Sequence, residues 1–201
     1  MTACLQGGSE FQPGCEEMDA AVLAAAPGPR VVVAPFAVRP GRDRDQVGAA
    51  ASRWYCDLGC EDLRVALDEE DDKAFADADV VVLPGGSPAR LLSALQPHAP
   101  ALRALAEGGT ALIGAGAGAM VLCRWTVLPE GRPSVKPGLG LVDVDLVLPH
   151  YGGSDAWLRW ARADLPAGSV ALGLPERSGV IVDGTHRRSA GVGVFSELPI
   201  N

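Results

Sequence analysis

A glycine-rich stretch at residues 111–120, ALIGAGAGAM, has the sequence pattern of a strand, a sharp turn and a helix. A nucleophile elbow needs small residues two positions before and two positions after the nucleophile, because strand and helix pack closely at such a turn. Gly114 and Gly118 meet this requirement, which makes Gly116 the apex. Glycine has no side chain that attacks a carbonyl. The pattern therefore predicts the backbone of a catalytic turn without its nucleophile.

Backbone N–H groups suited to holding a developing negative charge occur at two places near this turn. Ala117 directly follows the apex, and the pair Gly85-Gly86 follows the apolar run at residues 79–83. Donors of this kind form an oxyanion hole when two of them point at one oxygen. We therefore predict that Gly86 and Ala117 supply such a hole, with the neighbouring Ser87 among the ligand-binding residues.

A histidine and a carboxylate follow later apolar runs and supply the other two groups of a hydrolytic triad. His150 stands in the sequence LPHY at residues 148–151, and Glu176 stands in GLPER at residues 173–177. The chain order is apex, histidine, acid, whereas α/β hydrolases place the acid before the histidine. A further glycine pair near the N-terminus is predicted to bring Gly8 to the same pocket.

Taken in order, these motifs resemble the dipeptidase E and cyanophycinase group of serine peptidases, whose fold is related to that of class I glutamine amidotransferase domains. The resemblance spans nearly the whole chain, from LQGG at residues 5–8 to VIVDG at residues 180–184. Active members of the group carry an elbow of the form Gly-x-Ser-Ala-Gly-Ala, which this sequence matches except at Gly116. The resemblance implies that His150 is the general base and that its acid partner is Glu176 or Asp183.

The missing serine decides what activity is expected. In the serine mechanism the hydroxyl forms the acyl-enzyme, and an enzyme that loses a triad member keeps only a residual acceleration of roughly 10³–10⁴ over water. Ser87 and Cys123 carry nucleophilic atoms nearby, but neither occupies the apex. We therefore expect a pseudoenzyme whose pocket binds a small peptide-like or anionic ligand. The predicted lining residues are Gly8, Gly86, Ala117 and His150.

Three other functions stay open at this stage. In the first, Gly116 is an introduced substitution in a working serine exopeptidase. In the second, His150 acts as acid or base in a reaction without an acyl-enzyme. In the third, the chain is a structural subunit with a vestigial pocket. A ligand-induced rise in melting temperature separates a binding pocket from a vestigial one, because a ligand that prefers the native state stabilises it.

The elements that must position these residues follow from the apolar runs of the first two thirds of the chain. Short continuous runs predict strands covered on both faces, at Arg30–Ala34, Leu63–Leu67, Asp79–Leu83 and Thr110–Ile113. Helices are predicted between them, at Asp45–Leu58, Asp71–Ala78, Pro88–Leu95 and Pro100–Glu107. This alternation predicts an α/β domain of three layers, with a mostly parallel sheet flanked by helices. The family resemblance implies the class I glutamine amidotransferase-like version of that architecture.

The last third of the chain has a different pattern. Strands are predicted at Asp145–Leu148, Ser169–Leu172, Val180–Asp183 and Gly191–Phe195, and one helix at Asp155–Ala163, near Trp157 and Trp160. We expect these strands to extend the sheet, partly in antiparallel orientation. The Pro- and Gly-rich segment Leu128–Gly140 is predicted to be a surface loop.

Composition and charge limit the partners. The 201 residues suffice for one domain, 1–201, and the net charge of −8 disfavours a nucleic-acid backbone, which is bound by clustered Lys and Arg. No apolar stretch reaches the roughly 18 residues of a membrane span. Five cysteines without paired spacing favour the cytoplasm, and no metal or cofactor is predicted. By resemblance alone, a homodimer is expected.

Overall fold

The computed structural model describes residues 1–130, 133–154, 158 and 161–200. Most of the predicted helix Asp155–Ala163, including Trp157 and Trp160, lies outside the described residues. A short 3₁₀ helix at Arg162–Asp164 overlaps its end. None of the helices in the described ranges is long and apolar enough to cross a membrane.

The central sheet is mainly parallel, as predicted. Among the described residues it has seven strands in the order β11-β10-β1-β5-β4-β2-β3. Strands β1 to β5 pair in parallel, whereas β10 runs antiparallel to both β1 and β11. The bounds are β1 (Thr2–Gln6), β2 (Arg30–Val33), β3 (Asp62–Val65), β4 (Val80–Leu83), β5 (Ala111–Ala115), β10 (Ser178–Asp183) and β11 (His186–Gly191).

Helices cover both faces of this sheet, because its strands are apolar on both sides. Within β4, Val81 and Leu83 belong to one buried cluster, and Val80 and Val82 belong to the other. The first cluster includes residues of helices α3 (Pro88–Leu95), α4 (Ala99–Glu107) and α5 (Ala117–Leu122). The second includes residues of α1 (Glu16–Ala25) and α2 (Arg42–Asp57). The predicted α/β arrangement of three layers is therefore confirmed.

Two predictions for the last third of the chain were wrong. The strands β8 (Leu146–Leu148) and β9 (Val170–Gly173) form a separate small sheet with β12 (Ser196–Pro199) instead of extending the central one. The segment Gly191–Phe195 is not a strand: Gly191 has φ +85°, which ends β11, and Val192 and Val194 are 62% and 70% exposed.

Two further segments differ from expectation. The predicted loop Leu128–Gly140 contains β7 (Ser134–Pro137), which pairs antiparallel with β6 (Trp125–Leu128). The predicted helix Asp71–Ala78 is a series of turns. Its first turn is closed by the Asp71 carboxylate, which accepts a hydrogen bond from the backbone N–H of Lys73, and such local side-chain bonds compete with helix formation.

Candidate functional site

Three parallel strands end at the same edge of the sheet and bring the predicted site loops together. Leu5 of β1 and Leu83 of β4 both lie beside Gly114 of β5, so the loops after these strands leave the sheet side by side. They surround a cavity of about 280 Å³. Its lining residues are Gly8, Glu10, Gly85, Gly86, Pro88, Gly116, Ala117, Met120, Pro129, Pro149 and His150.

The turn between β5 and α5 has the geometry of a nucleophile elbow. Gly116 has φ +50° and ψ −110°, a conformation that strains any residue with a side chain. Its N–H donates to the Gln6 carbonyl oxygen at 3.0 Å. A Cβ atom built on Gly116 would have the Cα of Gly85, at 3.6 Å, as its nearest neighbour. The apex therefore has room for a side chain that the sequence does not supply.

The flanking glycines are required by packing. A Cβ atom on Gly114 would lie 2.6 Å from the carbonyl carbon of Gly118. A Cβ atom on Gly118 would lie 1.9 Å from the carbonyl oxygen of Leu83. Real side chains do not tolerate such distances to backbone atoms, so the first turn of α5 sits directly against β4 and β5.

The predicted oxyanion donors both border the cavity. Ala117 is the first residue of α5, and the first N–H groups of a helix have no intrahelical acceptor. Gly86 has φ +140°, and a Cβ atom there would lie 2.7 Å from the Ala37 carbonyl oxygen. The preceding N–H, that of Gly85, is already bound, because it donates to Oε1 of Glu10 at 2.7 Å.

The hydroxyl of Ser87, predicted among the ligand-binding residues, caps helix α3. Its hydroxyl oxygen accepts a hydrogen bond from the Arg90 N–H at 3.1 Å, which caps α3, and the hydroxyl donates to Oε1 of Glu130 at 2.5 Å. Ser87 is not among the described residues that line the cavity. The Ser87 side chain caps α3, and Pro88, the first residue of that helix, lines the cavity.

His150 and Glu176 meet beside the cavity. Nδ1 of His150 lies 3.0 Å from Oε1 of Glu176. An ionised carboxylate only accepts hydrogen bonds, so Nδ1 donates, and in the neutral form of an imidazole with this tautomer Nε2 is the acceptor. The His150 N–H donates to the Gly7 carbonyl oxygen at 2.8 Å, and the ring covers Gly8, where a Cβ atom would lie 2.4 Å from Cε1.

The structure distinguishes Glu176 from Asp183, the two carboxylates that the sequence left as alternative partners of His150. Asp183 pairs with Thr2 at the start of β1, whereas the site lies beyond Gln6 at the other end of that strand. Four residues of strand span about 13 Å. Glu176, in the turn before β10, is the one of the two that contacts His150.

The other nucleophile considered from sequence, Cys123, is buried and lies outside the described cavity lining. Burial raises the pKa of its thiol, and the thiol donates to the Ala119 carbonyl oxygen at 3.2 Å. Since the thiolate is the nucleophilic form, this cysteine is inert. Within the described ranges, no three His, Cys, Asp or Glu side chains are grouped so that they could hold a metal ion.

Glu10 is the site residue that the sequence did not indicate. It lies in the loop after β1 and reaches a backbone N–H 75 residues away. A lone glutamate after a glycine pair has no spacing that points to a site. Its role becomes visible only once the loops after β1 and β4 are adjacent.

Glu176 is expected to titrate below the ordinary glutamate range, and His150→Ala is expected to move its pKa upward. The hydrogen bond from His150 is the main cause of the lowered pKa, and one from Ser9 is the second. The lowered pKa means that the ionised form stabilises the fold above the unfolded-state pKa, and that this contribution is lost as pH falls through the folded-state pKa. Carboxyl ¹³C NMR titration of both proteins measures the shift. Ser9→Ala should give a smaller rise, and an unchanged Glu176 pKa in His150→Ala would contradict the assignment.

Comparison with known proteins gives consistent results. The sequence model of peptidase family S51 matches residues 4–187 of this chain. A peptidase from an acI-B1 Actinobacterium has a similar crystal structure, with a TM-score of 0.81 and 21% identity over 98% of this chain and 93% of that chain. A putative peptidase E protein from Listeria monocytogenes EGD-e is similar with a TM-score of 0.66 and 15% identity, over 96% and 98% of the two chains. No curated protein sequence matches.

Proposed function

Because this chain belongs to peptidase family S51, we propose that it is a peptidase-like protein that binds a small peptide-like or anionic ligand in the cavity at Gly116 without hydrolysing it. One observation carries the proposal. Gly116 occupies the apex of the elbow, with φ +50° and ψ −110°, and has no nucleophilic atom. The acyl-enzyme of a serine peptidase cannot form there.

The residues around the apex support a ligand-binding pocket rather than a vestigial one. The His150–Glu176 hydrogen bond is present at 3.0 Å, and the Gly86 and Ala117 backbones border the cavity. The cavity of about 280 Å³ lies just below the range of about 300–1,000 Å³ that is typical of small-molecule sites. A ligand of about the size of a dipeptide is therefore the best match.

A second candidate function is a reaction that needs no acyl-enzyme, with His150 as its acid or base. The observation in its favour is that Nδ1 of His150 is held by Glu176, which fixes the tautomer and leaves Nε2 to take up a proton. Product formation by the chain as it stands, abolished in His150→Ala, would select this candidate over binding alone.

Incubation with a panel of Asp-X, β-aspartyl and neutral dipeptides tests the proposal. We expect no release of amino acids by chromatography, together with a ligand-dependent rise in melting temperature. A ligand at 100 times its Kd adds about 2.7 kcal/mol to the free energy of unfolding. The rise should be absent in a variant whose cavity is closed, such as Ala117→Trp. Turnover would overturn the non-hydrolytic assignment, and the absence of any thermal shift across the panel would favour a vestigial pocket.

A further inference from the structure

Glu10 is held in the cavity by the shape of the loop after β1. The loop turns sharply, since Gly8, Ser9 and Phe11 all have positive φ, of +115°, +57° and +58°. Two contacts fix it: the Phe11 ring packs edge-on against Tyr55 with centroids 6.0 Å apart, and the Cys15 thiol donates to the Ser9 carbonyl oxygen at 3.4 Å. The Glu10 carboxylate is therefore presented to the cavity by an ordered backbone.

The Glu10 carboxylate has a remaining capacity to accept hydrogen bonds. Oε1 accepts the Gly85 N–H at 2.7 Å, and the absence of a Cβ atom at Gly85 permits this approach, since such an atom would lie 3.0 Å from Oε1. A carboxylate has about four lone-pair sites on its two oxygens. Within the described residues, Oε2 accepts no hydrogen bond. One oxygen anchors the side chain, and the other is available to a ligand.

The charges around the cavity favour a cation. Among its described lining residues, Glu10 is the acidic side chain, and neither Lys nor Arg is present. Glu130 lies close to the rim, because it accepts the hydroxyl hydrogen bond of Ser87, the residue before the lining Pro88. An anion entering this space meets the Glu10 carboxylate, whereas an ammonium group finds an acceptor there. Such interactions are stronger in a partly enclosed cavity than in bulk water.

We propose that Glu10 determines ligand specificity by binding a protonated amine, so that the ligand of this cavity is a small amine-bearing compound such as a peptide with a free N-terminus, rather than an anion. The inference rests on the proposed function, because it assigns a charge to the ligand of the same pocket. The Gly85 N–H positions the carboxylate, and the amine of the ligand pairs with its free oxygen.

Three probes with one peptide body and different groups at the N-terminus test this assignment. Alanyl-alanine amide carries +1 at its N-terminus, the N-acetyl derivative carries no charge, and the N-succinyl derivative carries −1. Their affinities are measured by calorimetry for the unsubstituted chain, for Glu10→Gln and for Glu107→Gln. Glu107 is an exposed acid at the end of α4, away from the site loops. A glutamine at position 10 keeps an oxygen that accepts the Gly85 N–H, and the melting temperature of the variant checks that the loop persists.

The unsubstituted chain and Glu107→Gln are expected to bind the amine probe at least about tenfold more tightly than the N-acetyl probe, as for a hydrogen bond to a charged group. Glu10→Gln should lose this preference and bind the succinyl probe more tightly than the unsubstituted chain does. Equal binding of the amine and N-acetyl probes, or a preference that survives in Glu10→Gln, would overturn the role of Glu10 while leaving a peptide-binding pocket. Failure of all three probes to bind any of the proteins would overturn the proposed function as well.

Discussion

A Gly116→Ser variant is expected to hydrolyse dipeptides at least about 10³-fold faster than the unsubstituted chain. The new Cβ atom fits, since its nearest neighbour is the Gly85 Cα at 3.6 Å. The hydroxyl would then stand at the apex of the elbow, in the same cavity as His150, whose Nε2 can accept a proton when Nδ1 donates to Glu176. Loss of a complete triad costs about 10⁶ in kcat in a well-studied serine peptidase, which sets the upper limit of the gain. Amino-acid release from the dipeptide panel measures it.

Two controls make this result specific. Gly116→Ala introduces the same backbone strain, of about 1–3 kcal/mol, without a hydroxyl, and it should remain inactive. Gly116→Ser combined with His150→Ala should lose most of the gained rate, because the serine then lacks its base. Activity in Gly116→Ala would show that hydrolysis does not depend on the apex. A folded but silent Gly116→Ser would mean that the N–H donors or His150 do not face the new hydroxyl.

Gly118→Ala is expected to lower the free energy of unfolding by at least about 3 kcal/mol. Helix propensity alone predicts that Gly118→Ala raises the free energy of unfolding, because alanine is favoured over glycine inside a helix by about 1 kcal/mol. Packing decides, because the added Cβ atom would lie 1.9 Å from the Leu83 carbonyl oxygen and 2.8 Å from the Leu83 carbonyl carbon. These are backbone atoms of a central strand, so the overlap is relieved only by moving α5 away from the sheet. Denaturant unfolding measures the difference.

Gly152→Ala is the matched control for this prediction. Its φ is not in the left-handed region, and a Cβ atom there would have no atom of the described residues within 4 Å. The same chemical change should therefore leave stability unchanged or raise it by about 0.4–1 kcal/mol, through the reduced freedom of the unfolded chain. A Gly118→Ala protein as stable as Gly152→Ala would contradict the close contact between α5 and β4.

Local packing rules explain why much of the fold could be predicted. Helix α3 has the predicted bounds Pro88–Leu95, because Ser87 caps it and proline suits its first position. The continuous apolar runs of β2, β4 and β5 likewise predicted buried strands. Helix α1 was not predicted, and no bounds were predicted for strand β1. Strand β1 is a five-residue segment, TACLQ, in which polar and apolar residues show no clear strand periodicity.

The elbow could be predicted from the local sequence alone. Gly114 is required by a contact with Gly118 inside one strand–turn–helix unit, and Gly118 is required by a contact with Leu83 on the neighbouring strand β4. The spacing of the two glycines was enough to indicate the turn and its empty apex. The partners of the other site residues became known only from the arrangement of the loops in three dimensions. The contacts of His150 with Glu176 and of Glu10 with Gly85 join positions 26 and 75 residues apart. The assignment of β8 and β9 to a separate sheet depends on strand pairing of the same non-local kind. Such contacts depend on which loops the sheet order makes adjacent, and no local pattern of residue types encodes that order.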